Sequence, residues 1–110
     1  MGKASYAETI NLPTAEYGDT FSGWERILEV NDVAKDLTGA TIVLTLSDGG
    51  GSLTSVDSGG ISITGDTSGK FTIDEQVITF IPRTYHYEIK FTFSDGSIKT
   101  YIEGTWKITG

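Results

Sequence analysis

Between Thr84 and Ile108, large apolar side chains recur at every second position along two runs that meet at Asp95-Gly96. A period of two is the mark of a strand with one buried face. Asp-Gly between two such runs marks a hairpin, because its tight turn needs positive φ at the central positions. With Asp95 and Gly96 as a two-residue loop, Phe93 faces Ile98, Phe91 faces Thr100, Ile89 faces Ile102, Tyr87 faces Gly104 and Tyr85 faces Trp106. The other face then carries His86, Glu88, Lys90, Thr92, Lys99, Glu103 and Lys107. An antiparallel pair packed on a core with its reverse side in water shows this division.

The same alternation, in shorter pieces, runs through the rest of the chain. A first strand is expected near Ala7–Leu12, with Ile10 and Leu12 inward and Pro13 closing it. From Phe21 to Val30 the pattern is ambiguous, since Arg26 and Ile27 violate one face each; Trp24, Leu28 and Val30 make the better inner face. Thr41–Ser47 turns Ile42, Leu44 and Leu46 inward, and further short strands are expected at 53–57, 61–64, 70–73 and 77–81. The run Asp48-Gly-Gly-Gly-Ser52 reads as a mobile loop tip. No window sustains a helical apolar period. The expectation is an all-β, antiparallel β-sandwich of immunoglobulin-like character with about nine short strands.

Composition narrows this further. The 110 residues suit a single domain, read as an N-terminal arm or edge strand over 1–17 and one sandwich over 18–110. Fourteen glycines and two prolines fit many tight turns. Without cysteine there is no disulfide, thiolate metal site or cysteine nucleophile. The first residues hold no apolar run of signal-peptide length, and no segment approaches a membrane span, so a soluble protein made in a cytoplasm is expected. A net charge of −7, with the acids scattered, argues against binding the phosphate backbone of nucleic acid.

Candidate chemistry is sparse. Glu88 and Glu103 are expected opposite each other with His86 nearby, an arrangement that evokes a glycosidase pair or a metal site. Lys90, Lys99 and Lys107 share that face and neutralise the acids on a solvated sheet, so neither catalysis nor metal binding is assigned there. Asp66-Thr-Ser-Gly69 and Asp48-Gly-Gly-Gly lack the alternating acids of a calcium loop. No phosphate loop or nucleophile elbow occurs. The expectation is no catalytic residue, no cofactor and no metal. Among the aromatics, Tyr101 is expected to project alone to the outer face beside Lys90, while Tyr6 and Tyr17 lie in the N-terminal arm. Tyr6, Tyr17 and Tyr101 are therefore the candidate interaction residues.

The segment Asp36-Leu37-Thr38-Gly39-Ala40 resembles the "DLTGA" signature of small all-β proteins from phage and prophage tail or baseplate clusters, including the N-terminal domain of baseplate upper proteins. The order of features is similar over roughly residues 18–108. Gly18-Asp-Thr-Phe21 precedes the first long strand, Gly69–Ile73 reads G-K-F-T-I, Tyr85–Ile89 reads Y-x-Y-E-I, and Asp95–Gly104 reads D-G-x-x-x-T-Y-x-x-G. The strand after DLTGA departs from the basic version many such proteins carry, and these 110 residues hold no counterpart of the long C-terminal extension of the larger ones, so a smaller virion-associated or connector role is expected. The resemblance implies a non-enzymatic virion part of tail, baseplate or head, made in a host bacterial cytoplasm. Its partners would be other virion proteins and copies of itself in a homo-oligomer, with neither nucleic acid nor membrane. Asp36 in an Asx-type turn, Leu37 as a plug and Gly39 at a bend would make DLTGA a structural corner, as Asp95 and Gly96 make the hairpin turn. The alternative is a carbohydrate-binding module for host-surface recognition, with a glycan stacked on Tyr101. Further rivals are an enzyme built on Glu88 and Glu103, and a free-standing immunoglobulin-like domain.

Overall fold

A computed structural model describes residues 8–110; Tyr6, Ala7 and the rest of the arm before Glu8 lie outside the described residues. Thirteen strands are present among them, more than the alternation alone suggests, because several pair over just two residues. They are β1 (Glu8–Thr9), β2 (Ala15–Glu16), β3 (Thr20–Phe21), β4 (Trp24–Ile27), β5 (Glu29–Val30), β6 (Val33–Ala34), β7 (Thr41–Leu46), β8 (Gly51–Thr54), β9 (Ile61–Gly65), β10 (Lys70–Ile73), β11 (Gln76–Val77), β12 (Arg83–Thr92) and β13 (Ile98–Thr109). The large sheet runs β1-β13-β12-β7-β8, with β2 also on β13; a smaller sheet runs β4-β10-β9. β3 pairs with β11 and β5 with β6.

The two sheets face each other across one apolar core, the all-β sandwich that the alternation predicts. Ile42, Leu44, Leu46, Tyr85, Tyr87, Ile89, Phe91, Ile102, Trp106 and Ile108 come from the large sheet, and Ile61, Phe71 and Ile73 from the small one. Phe71 meets Phe91 edge to face across the layers at 5.5 Å between ring centres. Each fully buried residue of this size contributes about 1.5–3 kcal/mol of transfer free energy. On β4 and the residue after it the inner face is the expected one, with Leu28 buried, Trp24 half-buried on Phe71 and Ile27 exposed. Tyr85 also donates its hydroxyl to the Ile81 carbonyl four residues back (2.5 Å), the kind of tyrosine corner that pins the entry to a strand in β-sandwiches.

The long hairpin follows the expected register at its base and departs from it at its tip. Tyr85 pairs with Trp106, Tyr87 with Gly104 and Ile89 with Ile102. Beyond a bulge, Lys90 pairs with Thr100, Phe91 with Lys99 and Thr92 with Ile98, so Tyr101 is the extra residue. The turn is the cause. Phe93 N–H bonds the Ser97 carbonyl and Gly96 N–H bonds the Phe93 carbonyl, which makes Ser94-Asp95-Gly96 a three-residue loop with Gly96 at φ 90°. One added loop residue slips the tip by one position, and a slip of one reverses every side chain it reaches. Ile98, expected inside, is therefore exposed. Tyr101, expected outside beside Lys90, is half-buried against Phe91 and Phe93, with ring centres 6.0 and 6.2 Å away.

The glycine run also differs from the mobile tip expected of it. A Cβ on Gly50 would lie 2.3 Å from the Tyr85 ring, and one on Gly51 would lie 2.7 Å from Phe80. Ser47–Gly49 is a single 3-10 turn and β8 starts at Gly51. Gly50 and Gly51 leave room for the rings of Tyr85 on β12 and of Phe80 in the segment before it, which press against this backbone.

Residues 8–16 form a strap along the free side of β13, and both of their strands run parallel to it. Ile10 and Leu12 donate their N–H groups to the carbonyls of Glu103 and Thr105. The strap completes the core, with Leu12 and Ala15 buried beneath it. Within the N-terminal segment, Glu8–Thr9 and Ala15–Glu16 are two short strands at the β13 edge, joined by a stretch that is hydrogen-bonded to β13 without being strand.

Candidate functional site

Two places concentrate polar or special side chains: the solvent face of the large sheet and the end where DLTGA meets the hairpin tip.

On the sheet face, Glu88 stands opposite Glu103 in the ladder as expected. His86 Nε2 lies 3.4 Å from Glu103 Oε1, with both side chains substantially exposed. On the neighbouring strand Glu88 pairs with Thr45 and Lys90 with Val43, so the two acids stand in the middle of the ladder. Among the described residues no group of three His, Asp or Glu side chains is placed to hold a metal ion. Two open depressions of about 400 Å³ flank β4, one by Glu25–Ile27 and Glu29, the other by Ser22–Glu25 and Thr72–Glu75. In the second, Asp74 takes hydrogen bonds from the hydroxyls of Ser62 and Thr72, both at 2.8 Å. Trp24, half-buried at the edge of this depression, pairs across the ladder with the buried Ile73 and meets Phe71 edge to face.

The remaining candidate loops serve their own turns. Asp66 Oδ1 accepts from Thr67 N–H, and the Asp66 carbonyl accepts from Leu37 N–H. Asp48 pairs with Arg83 at 3.4 Å.

At the sandwich end, Asp36 Oδ1 accepts both the N–H (2.8 Å) and the hydroxyl (2.6 Å) of Thr38. Those bonds hold its carboxyl below the ordinary value, the hydroxyl contributing most. Leu37 is fully buried, as the plug reading requires. Asp95 repeats the device with Ser97, at 2.8 and 2.7 Å, and its carboxyl is lowered for the same reason. The two motifs meet in space. Lys35 Nζ lies 4.9 Å above the Phe93 ring, and a Cβ on Gly39 would sit 3.2 Å from Ser94. DLTGA is thus a corner that closes the sandwich end against the hairpin tip, over Leu37, Phe93 and Tyr101.

The strap seat is an arrangement that the sequence pattern did not reveal. The buried Tyr87 donates its hydroxyl to the Ile10 carbonyl (2.6 Å), and the buried Trp106 donates its indole N–H to the Pro13 carbonyl (2.9 Å). Asn11 Oδ1 takes the Thr105 hydroxyl at 2.9 Å. Arg26 on β4 forms an ion pair with Glu8, tying the strap to the smaller sheet. Burial raises the Tyr87 phenol well above its usual range. Gly104 supplied the available signal: a glycine in the middle of an aromatic strand marks close backbone approach. A Cβ there would lie 1.8 Å from the Ile10 carbonyl oxygen.

Of the three candidate interaction tyrosines, Tyr17 is exposed, Tyr101 is half-buried and Tyr6 is outside the described residues. Tyr17 lies near Pro82 at the C-terminal end of β13, beside the strongly exposed Ile81. No helix among the described residues is long and apolar enough to cross a membrane. Comparison with family models, curated proteins and solved structures finds no significant match to this chain.

Proposed function

We propose that the protein is a non-enzymatic assembly module, a phage or prophage virion component of immunoglobulin-like character that acts through protein–protein contacts with copies of itself and with other virion proteins. The observation that carries this reading is the ordered set of motifs around Asp36–Ala40, with each motif in a structural role. The DLTGA corner, the Asp95-Gly96 turn and the aromatic strands are all engaged in holding the sandwich. The polar surface adds support, since the paired acids Glu88 and Glu103 stand on an open ladder with a histidine and lysines around them. The glycan alternative draws on Tyr101, whose ring packs on Phe91 and Phe93 and so has less surface to offer a sugar.

Deletion of the gene from the phage or prophage that carries it tests this reading. Particles imaged by electron microscopy should lack a part or arrest at an intermediate, and the protein supplied in trans should restore them. Normal, infectious particles from the deletion strain would refute it.

A further inference from the structure

We propose that residues 8–16 exchange between copies, so that the strap of one chain completes the β13 edge of a second and the second returns its own. The inference rests on the assembly reading and names the self-contact through which it would work.

Addition of a further strand to the large sheet is opposed at both edges. Along the strap, the N–H groups of Ile10 and Leu12 point at β13, so the nitrogen at position 13 falls on the outer side, and there Pro13 has no hydrogen to give. At the other edge β8 is four residues long, and its Thr54 is already bridged to Gly60. Exchange needs no free edge. The seat on β13 and β12 recognises a main chain through Trp106 and Gly104 of the one and Tyr87 of the other. It then selects for sequence by burying Leu12 and Ala15 and by pairing Asn11 with Thr105. The occupant that satisfies all of these is the strap of this same chain.

A second copy can supply every one of those contacts unchanged, including the Arg26–Glu8 ion pair. What changes is the connection, the turn at Tyr17–Asp19, held by the bond from Asp19 N–H to the Glu16 carbonyl (3.1 Å) and by two bonds with Ile78, from Gly18 N–H to its carbonyl (2.8 Å) and from its N–H to the Asp19 carbonyl (3.0 Å). Closed and exchanged forms therefore differ by the state of one short turn and by the concentration of chains, the condition under which swapping is a low-cost route to dimers.

The chain has no cysteine, which permits a direct test. Thr9 and Glu103 are register partners on the solvent face. The full-length double variant Thr9→Cys/Glu103→Cys, refolded at low and at high concentration and then oxidised, is read on a denaturing, non-reducing gel. Exchange predicts a disulfide-linked dimer whose ratio to monomer rises with protein concentration. A second chain, with native Thr9 and Glu103 but lacking Gly18, shortens the turn and should give more dimer than wild type by light scattering at equal concentration. Intrachain disulfide alone at every concentration, or a Gly18-deleted chain that stays monomeric, overturns the proposal. Such a non-exchanging chain still found in purified particles would leave the assembly reading standing, so the two failures are distinguishable.

Discussion

Substitution of Gly104 by alanine tests whether the strap is an integral part of the core. The added Cβ falls 1.8 Å from the Ile10 oxygen and 2.6 Å from its carbonyl carbon, and both are backbone atoms that cannot turn aside. The strap must lift. Lifting it breaks the Ile10 N–H bond to Glu103 and removes the acceptor of the Tyr87 hydroxyl. A typical net hydrogen bond is worth about 1 kcal/mol, and a buried hydroxyl left without a partner costs about 1–3 kcal/mol more. Partial exposure of Leu12, which is buried in the native protein, adds up to about 1.5 kcal/mol. Together these give about 4 kcal/mol, a large part of the ~5–15 kcal/mol that holds a domain of this kind. At about 4 °C per kcal/mol the melting temperature should fall by about 15 °C. Urea unfolding followed by tryptophan fluorescence reads the effect directly, since Trp106 lies under the strap and bonds Pro13. A loss below about 1 kcal/mol would mean that the strap shifts without cost, and the reasoning would be refuted.

Two further outcomes follow from the same geometry. Tyr101→Ala should destabilise the fold by about 2–3 kcal/mol, because it uncovers Phe91 and Phe93; an unchanged denaturation midpoint would restore Tyr101 to the surface. In acid, the lowered carboxyls of Asp36 and Asp95 contribute stability that is present above their ordinary pKa near 3.8 and lost as pH falls through the depressed native values. Asp36→Asn and Asp95→Asn should therefore flatten the decline in stability below about pH 4, and an acid limb identical to wild type would contradict the capping role.

The parts of the fold that were legible in the sequence are those where one local signal decides. Alternation placed Tyr85, Tyr87, Ile89 and Trp106 inside, and Ile42, Leu44 and Leu46 with them. Asp95-Gly96 marked the turn, but Asp-Gly suits a two-residue loop and also the last positions of a three-residue one. Ser94 decided between them, and through the slip it relocated Ile98 and Tyr101. The glycine run misled for a related reason: glycine marks freedom in a tip and absence of room under a ring, and the rings of Tyr85 and Phe80 come from residues distant in sequence. Long-range acceptors were the least legible. Nothing near Tyr87 or Trp106 in sequence says that their partners are carbonyls of residues 10 and 13. For function, DLTGA could be read as a corner from Asp36, Thr38 and Gly39, while its contact with the hairpin tip through Lys35 and Phe93 needed the tertiary structure.

The central claim is that this chain is a built part of a virion. Quantitative mass spectrometry of purified particles, produced by a host carrying the gene, measures it most directly. The account predicts the protein in a fixed copy number per particle, in a whole-number ratio to a neighbouring structural component that persists through gradient purification. Particles that are complete and free of this chain would contradict it.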